Sequence, residues 1–293
     1  MLRVPGGVFL MGSDRHYAEE APAARVSVDP FWMDETPVTN AQFARFVAAT
    51  GHVTLAETAP SLADYPDADP AMLRPGSAVF RGTKGPVPLI DPSLWWEFSF
   101  GADWRHPWGP ESSLDGLADH PVTHVTFADA EAYSAWAGRR LPTEAEWEFA
   151  ARGGLDDADY AWGDTLEPGG VPQANYWHGR FPFENLSPAG WERTSPVRSF
   201  DPNPYGLHDL IGNVWELTAD WYAPRPAPAR PCCVPSNPRG PDRGEGEPRK
   251  VMKGGSHLCA ESYCRRYRPA ARYAQALDTS TSHVGFRCVL SAP

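Results

Sequence analysis

Glycine and proline set the strongest limit on what this chain can fold into. Its 293 residues include 26 glycines and 32 prolines, together roughly a fifth of the chain and well above the usual share. Proline fixes φ and removes a backbone donor, and glycine disfavours helix and strand interiors. Many turns and little long regular structure follow. Material for a buried core is nonetheless ample, because 42% of residues are hydrophobic and 12 are tryptophan; the chain is globular rather than disordered.

Three helices are predicted where capping signals and helical spacing coincide. Thr39 with Gln42 forms a capping box ahead of Phe43, Phe46 and Val47, which share a face. Thr126 with Asp129 opens a second helix, where Ala130, Tyr133, Trp136 and Ala137 repeat at helical spacing and Gly138 takes the C′ position. Thr143 with Glu146 opens a third, turning Trp147 and Ala150 inward and stopping at Gly153-Gly154. Short strands are expected at Val26-Ser27-Val28 and at Gly285-Phe286-Arg287-Cys288-Val289-Leu290. The proline-rich stretch from Ala223 to Pro248 reads as a long surface loop. With no internal repeat and no dividing linker, one domain over residues 1–293 is expected.

The net charge of −11 argues against a nucleic-acid partner, which needs clustered Lys and Arg. It suits a peptide or small molecule. No apolar run is long enough to span a bilayer, so no membrane partner is expected. The opening Met1-Leu2-Arg3-Val4-Pro5-Gly6-Gly7 lacks the apolar core of a signal peptide, which implies a cytoplasmic address. Five cysteines are an odd and sparse set, consistent with reducing conditions and some thiols kept for chemistry.

The strongest local signal is Gly254-Gly255-Ser256-His257-Leu258-Cys259 followed by Glu261-Ser262-Tyr263-Cys264-Arg265-Arg266-Tyr267-Arg268. Cysteines five positions apart diverge on a helix and lie on opposite faces of a strand, so they converge only on irregular backbone. The preceding glycines let the chain bend and approach a ligand closely. Arg265, Arg266 and Arg268 offer positive potential that favours thiolate. Two thiolates without a third ligand suit Cu(I) better than four-coordinate zinc. On spacing alone, a buried or disulfide-bonded structural pair remains the favoured reading.

The other candidates read as structural. Cys232-Cys233 lies in the proline-rich loop without further ligands, and Cys288 sits among apolar neighbours as a core residue. His120 and His124 have the spacing of two ligands on a helix, but Pro121, Val122, Thr123 and Val125 indicate extended chain. Asp209-Leu210-Ile211-Gly212-Asn213-Val214-Trp215-Glu216 places oxygen donors around a glycine turn. That arrangement could hold Ca²⁺, though the spacing is not an EF-hand and a metal-free acidic turn is the safer reading. Nucleotide-binding glycine loops and the Gly-x-Ser-x-Gly elbow are missing.

Taken together, these segments resemble the formylglycine-generating enzymes, or sulfatase-modifying factors, nearly end to end. The likeness runs through Val4-Pro5-Gly6-Gly7-Val8-Phe9-Leu10-Met11-Gly12-Ser13, Phe31-Trp32-Met33-Asp34, Pro37-Val38-Thr39-Asn40, Trp104-Arg105-His106-Pro107 and His120-Pro121-Val122. Arg140-Leu141-Pro142-Thr143-Glu144-Ala145-Glu146-Trp147-Glu148 and Gly212-Asn213-Val214-Trp215-Glu216 match signatures of the wider superfamily, which includes other activities. The pattern Gly255-Ser256-x-x-Cys259-x-x-x-Tyr263-Cys264-x-Arg266-Tyr267-Arg268 is more specific to the formylglycine-generating branch.

The resemblance reverses the reading of the cysteines. It implies that Cys259 and Cys264 are a redox-active pair binding Cu(I). The implied substrate is a sulfatase polypeptide carrying Cys-x-Pro-x-Arg, oxidised by O₂ to Cα-formylglycine in the presence of a thiol reductant. Ser256, Tyr263 and Trp215 match family active-site positions, the first to orient oxygen or water and the aromatics to line the substrate cleft. The implied fold is a single α/β (α+β) domain related to C-type lectins, a monomer with structural Ca²⁺. Its calcium ligands map onto Asp209, Gly212, Val214 and Glu216 at one site, and onto Asn175 and Tyr176 at another. The chain departs from the pattern at three places. Ala189 stands where relatives often supply an acidic calcium ligand, which weakens the site at Asn175. His283 stands where many members have Asn. Ser134, Ala151 and Pro269 replace disulfide cysteines of secretory members, which leaves Cys288 without its partner and supports cytoplasmic residence.

Two rival functions rank lower. Iron-dependent sulfoxide synthases of the superfamily carry an N-terminal helical domain for which this chain leaves no room. A non-catalytic calcium-stabilised binding module has no use for the paired thiols.

Overall fold

The structure, a computed structural model, describes residues 1–63, 65–225, 234–243 and 246–292. The described strands are β1 (Leu2–Val4), β2 (Gly7–Met11), β3 (Ala24–Val28), β4 (Phe31–Met33), β5 (Gly76–Phe80), β6 (Trp96–Phe100), β7 (Trp215–Trp221), β8 (Arg249–Lys253), β9 (Arg272–Ala276), β10 (Val284–Gly285) and β11 (Val289–Ser291). The longest of them has seven residues, as the abundance of glycine and proline requires. They form a sheet β10-β7-β8-β9, a sheet β1-β4-β11 and the hairpins β2-β3 and β5-β6. Pairing is antiparallel except between β10 and β7.

All three predicted helices form, each behind its capping box: α1 (Asn40–Thr50), α2 (Phe127–Trp136) and α3 (Glu144–Arg152). The Thr hydroxyl accepts an orphan backbone N–H and the third residue's side chain returns to the Thr N–H, so each helix start is fixed locally. Gly51 and Gly153 close α1 and α3 in the left-handed conformation. Phe43, Phe46, Tyr133, Trp147 and Phe286 meet in one core that draws residues from Val4 to Val289.

Trp136, at the last turn of α2, contacts Phe46 and Tyr133 and stays 45% exposed. One expectation needs correction. Residues 285–290 are not one strand. The chain leaves β10 after Gly285 and joins the other sheet at Val289. Between them Phe286 O accepts Val38 N, Cys288 O accepts Asp34 N, and the Asp34 carboxylate accepts Cys288 N. The backbone groups are satisfied by a loop instead of a ladder. Cys232-Cys233 lies outside the described residues. Elsewhere in the proline-rich stretch, Val234–Asn237 is exposed, as expected of a surface loop.

The connection from β8 to β9 carries the cysteines. Its ends are held together, because Lys253 pairs with Arg272 in register. Both side chains are buried and reach α3: Lys253 Nζ donates to Glu148 at 2.9 Å and Arg272 Nε to Glu144 at 2.9 Å. Arg225 and Arg152 complete the cluster. Burial alone would raise the carboxylate pKa values. Facing Arg225, Lys253 and Arg272 instead hold Glu144 down at about 2, and Lys253, Arg152 and Arg225 hold Glu148 below the usual range. One helix thus clamps the root of the cysteine loop.

Candidate active site

Residues 254–268 contain no regular strand or helix beyond an isolated bridge at Ala260. Gly254 (φ 90°) lets the backbone press against Leu210 and Trp147, where a Cβ would meet Leu210 O at 2.4 Å. A Cβ on Gly255 (φ 74°) would meet Arg266 O at 2.7 Å. These glycines therefore serve close backbone packing that folds the segment onto itself. Ser256 O accepts Cys259 N, and Ala260 O accepts both Tyr263 N and Cys264 N. Two successive turns bring the sulfurs to 3.4 Å. Both thiols are free, and the gap is well beyond the ~2.05 Å of a disulfide. Cys259 is buried at 2% exposure, whereas Cys264 is half-buried.

The environment polarises the pair. A hydrogen bond from Cys259 lowers the Cys264 pKa to about 6; burial opposes this and Arg266 adds to it. Burial raises the Cys259 thiol, as does its role as donor to Cys264. Among the three candidate arginines only Arg266 approaches sulfur, with an Nη at 3.5 Å from Cys264 Sγ. Arg268 is buried on Glu20, and Arg265 is exposed and paired with Glu261. Arg266 is itself held by Glu19 and covered by the rings of Tyr17 and Tyr273. No local signal points to Tyr17, Glu19 or Glu20, which lie about 250 positions upstream.

Tyr263 stacks on Phe181 at 4.6 Å with its plane 4° from parallel, meets Trp95 edge-on and is 38% exposed. Phe181 continues to Trp177 and Phe80. Trp177 N donates to Cys259 O, so this aromatic floor is attached to the cysteine turn. Ser256 is buried, its hydroxyl accepting Leu258 N. Trp215 is buried, with its ring 6.2 Å from Tyr273, and it reaches the site through Tyr273 and Arg266. His283 hydrogen-bonds Thr281 through Nδ1 and lies 4.8 Å from the Trp96 ring. Burial, with His257 and His124 nearby, lowers its pKa to about 3, so the imidazole is neutral.

The remaining candidates separate clearly. His124 bonds Ser77 and Pro107 O while His120 bonds Thr194, so the two share no site. The two calcium candidates adjoin, since Asn175 O accepts Asn213 N at 2.7 Å. The Glu216 carboxylate is fully buried and accepts from Arg287 and Trp147. Burial raises the pKa of Asp209, whose Oδ2 accepts Arg198 N. Gly212 and Val214 carbonyls carry no hydrogen bond among the described residues. Asn175 donates to Arg193 O, and the Tyr176 hydroxyl turns to Glu167. Among the described residues no three His, Cys, Asp or Glu side chains converge as a metal cluster. A cation here would draw largely on backbone carbonyls, an oxygen set that fits Ca²⁺. Two adjacent sulfurs without nitrogen or oxygen partners fit Cu(I). Cys288 packs its sulfur 3.3 Å from the Ser134 hydroxyl, where the resemblance implies a lost disulfide.

Such a scaffold, α+β with short elements and an irregular thiol-bearing connection between two strands, is C-type-lectin-like. PvdO from Pseudomonas aeruginosa has the same fold: TM-score 0.62 over 99% of this chain and 93% of that one, at 21% identity. The chain belongs to the sulfatase-modifying factor enzyme 1-like family, whose profile matches residues 1–292. A formylglycine-generating enzyme of Mycobacterium tuberculosis is 52% identical over 99% of this chain and 97% of its own length. One from Streptomyces coelicolor is 46% identical over 99% and 89%. No described helix is long and apolar enough to cross a membrane.

Proposed function

We propose that the chain is a formylglycine-generating oxidase that activates sulfatases by converting the cysteine of a Cys-x-Pro-x-Arg segment to Cα-formylglycine, using O₂ and Cu(I). The observation that carries this is the free thiol pair 3.4 Å apart, one on a buried residue and the other on a half-buried residue beside Arg266. The relatives' names support the same reaction.

Cys259 and Cys264 would hold the copper, which when bound supplies a thiophilic centre able to engage O₂. Cys264 reaches neutral pH as thiolate and is ready to ligate without first losing a proton. Arg266 offsets its charge, and Glu19 keeps the guanidinium in place. Tyr263, on its aromatic floor, presents a flat surface for an extended segment. Ser256 is the group assigned to orient oxygen or water. The balance explains the reductant: R–CH₂–SH, O₂, two electrons and two protons give R–CHO, H₂S and H₂O, so a thiol must supply the electrons. Ca²⁺ on Asp209 with the Gly212 and Val214 carbonyls would brace the turn that precedes β7. The free described cysteines support a reducing, cytoplasmic setting.

The test is mass spectrometry of a synthetic Cys-x-Pro-x-Arg peptide incubated with protein, Cu(I), O₂ and a thiol reductant. Aldehyde should form, and should vanish in Cys259→Ala and Cys264→Ala. Turnover unchanged in both variants would refute the assignment.

A further inference from the structure

We infer that a small cavity beside the aromatic floor is a carboxylate subsite, with Arg193 as its cation, that takes one acidic side chain of the polypeptide substrate; this rests on the peptide-oxidising reading above. The cavity has a volume of about 30 Å³, and its apolar walls include Phe80, Trp108 and Pro121. One water-sized group needs about 10–15 Å³, so the space matches the two oxygens of a carboxylate.

Most polar groups on its wall are already committed. Thr194 bonds His120, Asn40 donates to Leu117 O, Ser282 accepts Phe80 N, and His257 Nδ1 donates to Asn213 O. Arg193 differs. It is an exposed residue whose guanidinium lies 4.2 Å from the Trp108 ring centre; it feels the charge of neighbouring Glu192 but makes no side-chain hydrogen bond or ion pair among the described residues. Arg81, the other arginine at Trp108, is already neutralised: it binds Glu97 at 3.1 Å and Trp108 O at 2.9 Å. A guanidinium over an indole face retains N–H groups that can read a carboxylate with two parallel bonds.

The cavity also lies within reach of the chemistry. His257, on its wall, is two residues from Cys259. Phe80 is 5.6 Å from Phe181, which is 4.6 Å from Tyr263. The acidic side chain is therefore expected at a position flanking the target cysteine.

Isothermal titration of the full chain tests this with peptides in which Ser replaces the reactive Cys, so that binding alone is read. A Glu is moved through each position flanking the motif, with a Gln counterpart every time. At one position Glu should bind about fivefold more tightly than Gln, the worth of a partly exposed charge-assisted pair. Arg193→Gln should bring the two peptides to the same Kd. Equal Kd values at every position, or a Glu preference that survives Arg193→Gln, would overturn the subsite. The corresponding Cys peptides report separately: if none yields aldehyde, the oxidase reading fails, while the Glu-to-Gln binding ratio still decides for or against the subsite.

Discussion

In metal-free protein at neutral pH, Cys264 should be the reactive thiolate among the described cysteines. With a pKa of about 6, Cys264 is about nine-tenths ionised at pH 7, against about 3% for an ordinary cysteine near 8.5. The more acidic thiolate is also intrinsically less nucleophilic, by about tenfold over that pKa difference. The net rate with iodoacetamide should therefore exceed that of a free cysteine only about two- to threefold, and the pH midpoint is the sharper readout. Peptide-resolved mass spectrometry across pH 4–9 should find modification of Cys264 with a midpoint near 6 and almost none at Cys259, whose thiol is held protonated. Removing the Arg266 charge extends the test. A unit charge 3.5 Å from sulfur is worth about 5 kcal/mol at an effective dielectric of ~20. Glu19, in contact with the same guanidinium, cancels much of that. Arg266→Gln should accordingly move the midpoint to about 7 to 8. Equal alkylation of both cysteines with a common midpoint near 8.5, or an unmoved midpoint in Arg266→Gln, would refute the electrostatic account of the pair.

Three further outcomes follow from the same geometry. Glu144 is depressed to about 2, so its contribution is fully present above about pH 4.5 and is lost as pH falls toward 2; the gap is worth about 3 kcal/mol. Urea denaturation should show Glu144→Gln losing about 3–5 kcal/mol at pH 7, because buried cations lose a partner, and a flatter acid limb; an unchanged pH dependence would speak against the clamp. If Ca²⁺ occupies the Gly212 turn, chelation should lower Tm by about 5 °C or more, and Asp209→Asn should reduce that response; identical melting with and without chelator would remove calcium from the structure. Ser134→Cys should form a disulfide with Cys288 under oxidising conditions, seen as loss of two free thiols and a gain of about 2–4 kcal/mol; persistent thiols would place the two side chains farther apart than the 3.3 Å contact indicates.

What could be read from the chain follows the distance over which each feature is determined. The helices were legible because a capping box acts across four residues, and Thr39, Thr126 and Thr143 each cap as expected. The strand expected at residues 285–290 failed because alternation cannot show that Asp34 and Val38 take over its hydrogen bonds. Spacing alone favours a structural pair of cysteines, and only the resemblance reverses that reading, since convergence depends on two turns and on glycines pressed against Leu210 and Arg266. Glu19 was invisible for a simpler reason: nothing local ties it to Arg266.

The two superfamily signatures acquire a physical meaning once they are placed side by side. In the run from Leu141 to Glu148, Thr143 caps α3, Glu144 and Glu148 receive Arg272 and Lys253 at the root of the cysteine loop, and Glu146 receives Arg140. In the run from Gly212 to Glu216, Asn213 pairs with both backbone groups of Ser195, and Glu216 receives Arg287. The runs meet directly, for Trp147 Nε1 donates to Glu216 at 2.7 Å. Every one of these buried polar groups is satisfied by another, and each would be costly to strand alone. The two runs therefore form one brace under the loop between β8 and β9. Under the proposed function the chemistry falls to the loop itself, where the free Cys259 and Cys264 sulfurs lie 3.4 Å apart beside Arg266.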